Sequence, residues 1–127
     1  MKAENGRMKG DLRERTKEFA LKIIRLYSEL PKHREAQVIG NQILRSGTSV
    51  GAHIREAHRA KSNPDFISKL EGGAQELEET IYWLELLDEA GICPADRLKP
   101  LKTEADELMA IIVTIVRKTK SRARTSP

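Results

Sequence analysis

Cysteine, aromatic residues and long apolar runs are scarce in this 127-residue chain, and each scarcity excludes a class of protein. Cys93 is the one cysteine, so it can form neither an internal disulfide nor a cysteine-based metal site. The longest dense apolar run, residues 109–116, is far too short to span a bilayer. Residues 1–10 are polar and do not resemble a signal peptide. We therefore expect a cytoplasmic protein with no membrane segment.

Helical periodicity is the feature that the sequence has in abundance. Apolar residues recur at alternating spacings of three and four, which predicts helices at about residues 11–30, 35–60, 64–90 and 99–119. Pro31 and Gly91 mark the ends of the first and third helices, while Pro64 and Pro100 suit first turns. Helices of this length with short links alternate in direction. The predicted fold is all-α: an up-down-up-down antiparallel left-handed four-helix bundle.

The two ends of the chain lie outside this pattern. Residues 1–10 are predicted to form a flexible arm, and residues 120–127 a basic flexible tail. The tail has two interpretations. It is either a frayed, solubilising end or a mobile arm that contacts phosphates.

The second predicted helix combines glycines with a polar stripe. Gly47 and Gly51 each cost about 1 kcal/mol relative to alanine in a helix, so we expect another backbone to pass very close to them. The stripe either sets the register of this helix against a neighbour, in the bundle or in an oligomer, or binds a partner. It consists of Gln42, Arg45, Ser49, His53 and Glu56.

Positive and negative charges are segregated along the chain. Residues 62–93 carry one Lys against eight acidic residues, whereas residues 1–34 carry ten Lys and Arg against five acidic residues. Either opposite charges meet across neighbouring helices or subunits, or a basic surface stays free for nucleic acid. The scarcity of aromatics predicts that such binding would depend on phosphates and on salt. Its candidate residues are Arg55, Arg59, Lys61, Arg117, Lys118, Lys120, Arg122 and Arg124.

No group of residues points to catalysis. Di-iron bundles use Glu-x-x-His, and the pair His53 and Glu56 has the reverse order. Ser49, His53 and Glu56 share one helix face, where the acid cannot orient the far side of the imidazole as a triad requires. Cys93 has no nearby base. We predict no enzymatic activity, no cofactor and no metal.

Four runs of the sequence stand out: Arg45-Ser46-Gly47-Thr48-Ser49-Val50-Gly51-Ala52, Arg55-Glu56-Ala57, Asp65-Phe66-Ile67-Ser68-Lys69-Leu70 and Glu78-Glu79-Thr80-Ile81-Tyr82-Trp83-Leu84-Glu85-Leu86-Leu87. Together they resemble the bacterial four-helix-bundle family encoded in intervening sequences of 23S rRNA genes. The resemblance covers roughly residues 12–118. It implies a bundle that commonly forms a homopentamer and has no established enzymatic activity. The chain departs from the family pattern at His53, where Asn is usual, and at Gly72 and Gly73, where bulkier residues are usual.

Two functions remain open at this point. The resemblance extends to accessory bundles of diversity-generating retroelements, which implies RNA, DNA or a reverse transcriptase-like enzyme as a partner. A non-enzymatic oligomer, implied to be a pentamer, would then bind nucleic acid or a nucleic-acid enzyme through its basic residues. The alternative is a purely protein-binding or self-assembling scaffold. Ile111, Val113 and Val116 make the fourth helix apolar on nearly every side, which favours an oligomer in either case.

Overall fold

Four helices make up the fold in a computed structural model, which describes the backbone of residues 2–125 and the side chains of residues 12–123. They are α1 (Lys2–Glu29), α2 (Arg34–His58), α3 (Asn63–Glu89) and α4 (Ala95–Thr125). α2 packs between α1 and α3, α3 packs against α4, and α4 meets α1 through a looser contact. Because the links are short, successive helices run antiparallel. The predicted all-α four-helix bundle is confirmed.

The heptad seams form the core. In α1 all the residues at the predicted spacings of three and four are buried: Leu12, Thr16, Phe19, Ile23, Leu26 and Leu30. In α3 the three-and-four spacing of apolar residues predicts that Ala74 and Ile81 are buried, but they are only half-buried, whereas Gly73 and Thr80 are buried. Fully buried apolar side chains from all four helices are Phe19, Ile23, Leu26, Ile43, Leu77, Leu84, Leu108 and Ile112.

A polar pair lies inside this core between α2 and α3. The hydroxyls of Ser46 and Thr80 are 2.8 Å apart, and both residues are fully buried. Thr80 also donates to the carbonyl of Glu76 at 2.8 Å. Because each hydroxyl has a hydrogen-bond partner, the cost of burying the two groups is largely offset.

The helix boundaries differ from the prediction at both ends of the chain. α1 already begins at Lys2, so residues 2–10 are helical where an arm was predicted. α4 continues to Thr125, so the predicted flexible tail is helical over residues 120–125. In residues 120–125, Lys, Arg and Ala have high helix propensity and no proline interrupts the helix. Residues 2–10 continue α1 although Gly6 and Gly10 have low helix propensity.

Proline and glycine positions explain the links. α4 begins at Ala95, so Pro100 lies inside the helix and not in its first turn as predicted. Pro100 has no backbone N–H, so one carbonyl of the preceding turn loses its helical hydrogen-bond donor. Because Pro100 is exposed, water can donate to that carbonyl instead. Gly91 has φ of 69°, and the amide of Ile92 donates to the carbonyl of Leu87 at 3.0 Å. This Schellman arrangement ends α3 where the sequence predicted. The N-cap of α3 is Ser62, whose hydroxyl accepts from the amide of Asp65 at 3.2 Å.

Candidate nucleic-acid interface

The glycines of α2 lie against α1 of the same chain. A Cβ at Gly47 would be 2.8 Å from Cγ1 of Ile23, and one at Gly51 would be 3.4 Å from the hydroxyl of Thr16. At Gly51 the backbone of α1 comes close, because the carbonyl oxygen of Thr16 would lie 3.5 Å from the added Cβ. At Gly47 only a missing side chain leaves room for Ile23. This contact fixes the position of α2 along α1, and with it the position of the cationic residues at the end of α2.

The polar stripe of α2 faces α3. Arg45 pairs with Glu79 and, at 3.5 Å, with Glu76. The indole N–H of Trp83 donates to Oε2 of Glu79 at 3.0 Å. This bond and the neighbouring Arg45 guanidinium lower the pKa of the Glu79 carboxyl. Ser49 donates to the carbonyl of Arg45 on its own helix at 2.7 Å. Gln42 is half-buried in α2.

His53 occupies a space that α3 leaves open. A Cβ at Gly72 would lie 3.0 Å from Cε1 of the imidazole. Nδ1 of His53 is 3.2 Å from a carboxylate oxygen of Glu56, and Nε2 is 4.0 Å from one of Glu76. His53 and Gly72 therefore touch each other, and the missing side chain at Gly72 leaves room for the imidazole. Within the described residues, no group of three or more His, Cys, Asp or Glu could hold a metal.

Five of the predicted cationic residues collect at one end of the bundle. Arg55 lies on the last turn of α2 and Arg59 is its C-cap. Lys61 lies in the link to α3, and Arg117 and Lys118 lie near the end of α4. The antiparallel order of the helices brings the end of α2 and the end of α4 to the same end. All five side chains are exposed. Across the described residues, none of the five takes part in an ion pair or a side-chain hydrogen bond.

The acidic residues of α3 pair mainly with other cations. Glu71 accepts from Lys120 at 3.1 Å, and Asp88 accepts from Lys102 at 2.7 Å. Glu78 and Glu85 are exposed. Lys120 is thus a predicted binding residue whose charge is balanced by α3, and Arg122 lies exposed near the same end of α4. The side chain of Arg124 lies outside the described residues.

A groove of about 360 Å³ opens between the α2–α3 link and the last turns of α4. Its floor contains Ala57, Phe66 and Ile115, and three cationic side chains line its rim. The link is short because Ser62 caps α3 directly after the end of α2, which holds the link close to α4. The rim residues are Lys61, Lys118 and Arg122.

Phe66, His58 and Arg13 belong to this region and were not candidates in the sequence. Phe66 is half-buried beneath the groove. A guanidinium nitrogen of Arg13 lies 3.3 Å from Nε2 of His58. The sequence alone contains one signal for this region: a helix that starts at Asn63 and Pro64 puts Lys61 just before the helix cap and Phe66 just after it. Nothing in the sequence indicates that α4 would complete the groove from the opposite side.

None of the four helices, over the residues described, has both the length and the apolar character that crossing a membrane requires. No match is found among curated proteins. A solved structure of a protein with unknown function from the S23 ribosomal protein family of Bacteroides thetaiotaomicron is similar, with a TM-score of 0.82 and 36% sequence identity. The match covers 87% of this chain and 98% of that chain.

The sequence resemblance is tested by the family comparison. The model of the family described as 23S rRNA-intervening sequence protein matches residues 9–114, which include α2, α3 and most of α4. The chain belongs to the 23S rRNA-intervening sequence protein family.

Proposed function

We propose that this protein is a non-enzymatic bundle that binds nucleic acid through the basic end of the bundle. The observation that carries the proposal is the collection of five exposed, unpaired cations there: Arg55, Arg59, Lys61, Arg117 and Lys118. Like charges at this spacing repel one another slightly, so the arrangement is unfavourable without an anionic partner. A phosphate backbone supplies such a partner at regular intervals.

The helical extension of α4 supports this proposal. Arg117 and Lys118 stand on a helix that continues through Thr125, beyond the end predicted near residue 119. A cation held on a helix loses less conformational freedom when it contacts a phosphate than one on a disordered arm. The basic end is therefore a preorganised surface, for which docking costs less ordering entropy.

The arrangement of α2 supports a role without catalysis. Ser49 directs its hydroxyl at its own helix, to the carbonyl of Arg45. His53 lies between the carboxylates of Glu56 and Glu76 and not beside a hydroxyl nucleophile. Ser49 and Glu56 make their contacts within α2, His53 also faces Glu76 of α3, and none of them forms the nucleophile and base pair of a hydrolase.

A charge-removal experiment tests the nucleic-acid role. The triple variant Arg55→Gln, Arg59→Gln, Arg117→Gln is expected to weaken binding to a blunt duplex. The slope of log K against log salt should fall by about one for each cation that contacts a phosphate. The matched control is Lys17→Gln, Lys22→Gln, Arg25→Gln on the exposed face of α1, which removes the same charge.

Fluorescence anisotropy over a salt titration distinguishes the outcomes. The control should keep the salt slope of the parent protein. An equal loss of slope in both triple variants would show that net charge, and not the basic end, governs binding. A parent protein whose affinity is absent or insensitive to salt would refute the nucleic-acid proposal outright.

A self-assembling scaffold is the second candidate, and exposed apolar side chains favour it. Val38 is 54% exposed, Tyr82 is 52% exposed and Val113 is 40% exposed. A subunit contact would remove this apolar surface from water, which is favourable. The resemblance to the family implies that the assembly would contain five copies.

Light scattering tests the assembly. We expect a mass about five times the 14.4 kDa of one chain, and a smaller mass for Val38→Lys, because a lysine ammonium is costly to bury in an apolar contact. Ala52→Lys is the control, since Ala52 is also exposed on α2. A mass of one chain at micromolar concentration for the parent protein would contradict the assembly.

A further inference from the structure

We propose that the groove at the basic end holds one unpaired nucleotide of a bound strand, with its base on the apolar floor and its phosphate on the cationic rim. The inference rests on the proposed nucleic-acid role and goes further, because it names a pocket and the part of the ligand that enters it. The floor is Ala57, Phe66 and Ile115, and the rim is Lys61, Lys118 and Arg122.

The floor suits a base. Phe66 is one of five aromatic residues in the chain, and it lies half-buried beneath the groove next to the buried Ala57. Stacking on an aromatic ring stabilises an unpaired base and tolerates any base identity. The apolar neighbours exclude water from the other edges of the base. The sequence predicted binding through phosphates alone, whereas the fold adds an aromatic ring to the phosphate contacts.

The rim suits a phosphate. Lys61 comes from the α2–α3 link, and Lys118 and Arg122 come from successive turns of α4. In the described part of the chain, no Asp or Glu lines this groove. Lys61 and Lys118 are two positive charges on two elements that face one concave site, and they favour an anion that bridges them. The amide of Asn63, also in the lining, offers a donor and an acceptor for the polar edge of a base or for a ribose hydroxyl.

The volume of the groove limits which part of a nucleic acid can enter it. A volume of about 360 Å³ lies at the lower end of the range for small-molecule pockets. It is far too small for a base pair within a duplex, where both faces of each base are already stacked. An unpaired nucleotide, at a strand end or in a loop, exposes a base face and fits the site. The basic residues outside the groove, such as Arg55 and Arg59, would contact the adjoining phosphates.

Two DNA ligands and one blocking variant test the inference. The ligands are a blunt duplex and the same duplex with a short single-stranded overhang. We expect the parent protein to bind the overhang ligand about tenfold more tightly at equal salt, which corresponds to stacking of one base. Ala60→Leu places a larger side chain in the lining of the groove, on a residue outside the helices. It should remove this preference and leave the affinity for the blunt duplex unchanged.

Matched variants separate the groove from general effects. Ala52→Leu makes the same change on an exposed site of α2 and should keep the tenfold preference. Phe66→Leu keeps an apolar side chain but removes the ring, and should lower the preference to about twofold or less. Unchanged melting temperatures for Ala60→Leu and Phe66→Leu ensure that folding is not the cause. Overhang preference that persists in both variants would overturn the inference.

A mononucleotide titration followed by NMR separates the inference from the proposed function. Adenosine 5′-monophosphate should shift the methyl signals of Ala57 and Ile115 and the ring signals of Phe66, while inorganic phosphate should not. Equal shifts from both probes, or none from either, would overturn the groove as a nucleotide site. Duplex binding with the expected salt slope but no groove shifts contradicts only the inference. Groove shifts without any duplex binding contradict only the proposed function.

Discussion

Gly47→Ala is expected to lower the free energy of unfolding by about 1–3 kcal/mol, although alanine is the better helix former. The added Cβ would lie 2.8 Å from Cγ1 and 2.9 Å from Cγ2 of Ile23. Ile23 is fully buried and β-branched, so it has no alternative rotamer into open space. The overpacking therefore outweighs the gain of about 1 kcal/mol in helix propensity. Urea denaturation monitored by circular dichroism measures the change.

Gly51→Ala is the matched control for this substitution. It lies one turn further along α2, and its nearest neighbour would be the Thr16 hydroxyl at 3.4 Å, an ordinary contact. The propensity gain should dominate there and raise the free energy of unfolding by about 0.5–1 kcal/mol. The two substitutions thus have opposite expected signs on one helix face. Stabilisation by both would contradict the close approach of α1 at Gly47.

Ile23→Ala is expected to have the largest effect, a loss of about 2–5 kcal/mol, because it removes a fully buried side chain and leaves a cavity. In that background, Gly47→Ala should become stabilising by about 1 kcal/mol, the usual gain in helix propensity. The substitution at Ile23 removes both of the atoms that lie within 3.0 Å of the new Cβ and leaves only its own Cβ, at 3.3 Å. The methyl group introduced by Gly47→Ala would also occupy part of the cavity.

A double-mutant cycle from urea denaturation measures this coupling between positions 23 and 47. The coupling energy should exceed about 1 kcal/mol, since residues in direct contact are rarely additive. The cycle between Ile23→Ala and Gly51→Ala provides the control, because the nearest atoms to Gly51 belong to Thr16. Additive effects at positions 23 and 47 would mean that the helices adjust freely, and the close contact would then not fix the position of α2.

These stability measurements bear on the binding site through the position of α2. The α1–α2 contact at Gly47 and the α2–α3 contacts of Arg45 and His53 hold α2 from two sides. Arg59 and Lys61 follow at the end of α2 and in the link. A variant that loosens α2 should therefore also reduce the preorganisation of the basic end, which links core packing to binding affinity.

Much of the fold could be predicted from local patterns. The buried faces of α1 and α4 follow the periodicity of Phe19, Leu26, Leu108 and Ile112, because an amphipathic helix can bury only one stripe. The end of α3 followed from Gly91, whose φ of 69° suits glycine. The boundaries of α4 were predicted less well. There the charge pattern suggested a tail, while the helix propensity of the same residues determined the backbone.

The candidate site was less predictable than the fold. The cationic residues could be identified one by one, but their pairing could not, since Lys120 meets Glu71 only after α3 and α4 pack side by side. The partner of His53 was hidden in the same way, because Gly72 appeared in the sequence only as a break in the α3 pattern. Phe66 looked like an ordinary apolar residue of the third helix.

The sequence by itself determined four amphipathic helices, their order and the costly glycines of α2, because periodicity, helix breakers and propensity act over neighbouring residues. The tertiary structure decided which side chain packs against each glycine: Ile23 packs against Gly47, and His53 packs against Gly72. It also decided that Lys61, Phe66 and Lys118 surround one groove. Such groupings depend on the relative position of three separate elements along the bundle, and side-chain packing between helices fixes that position.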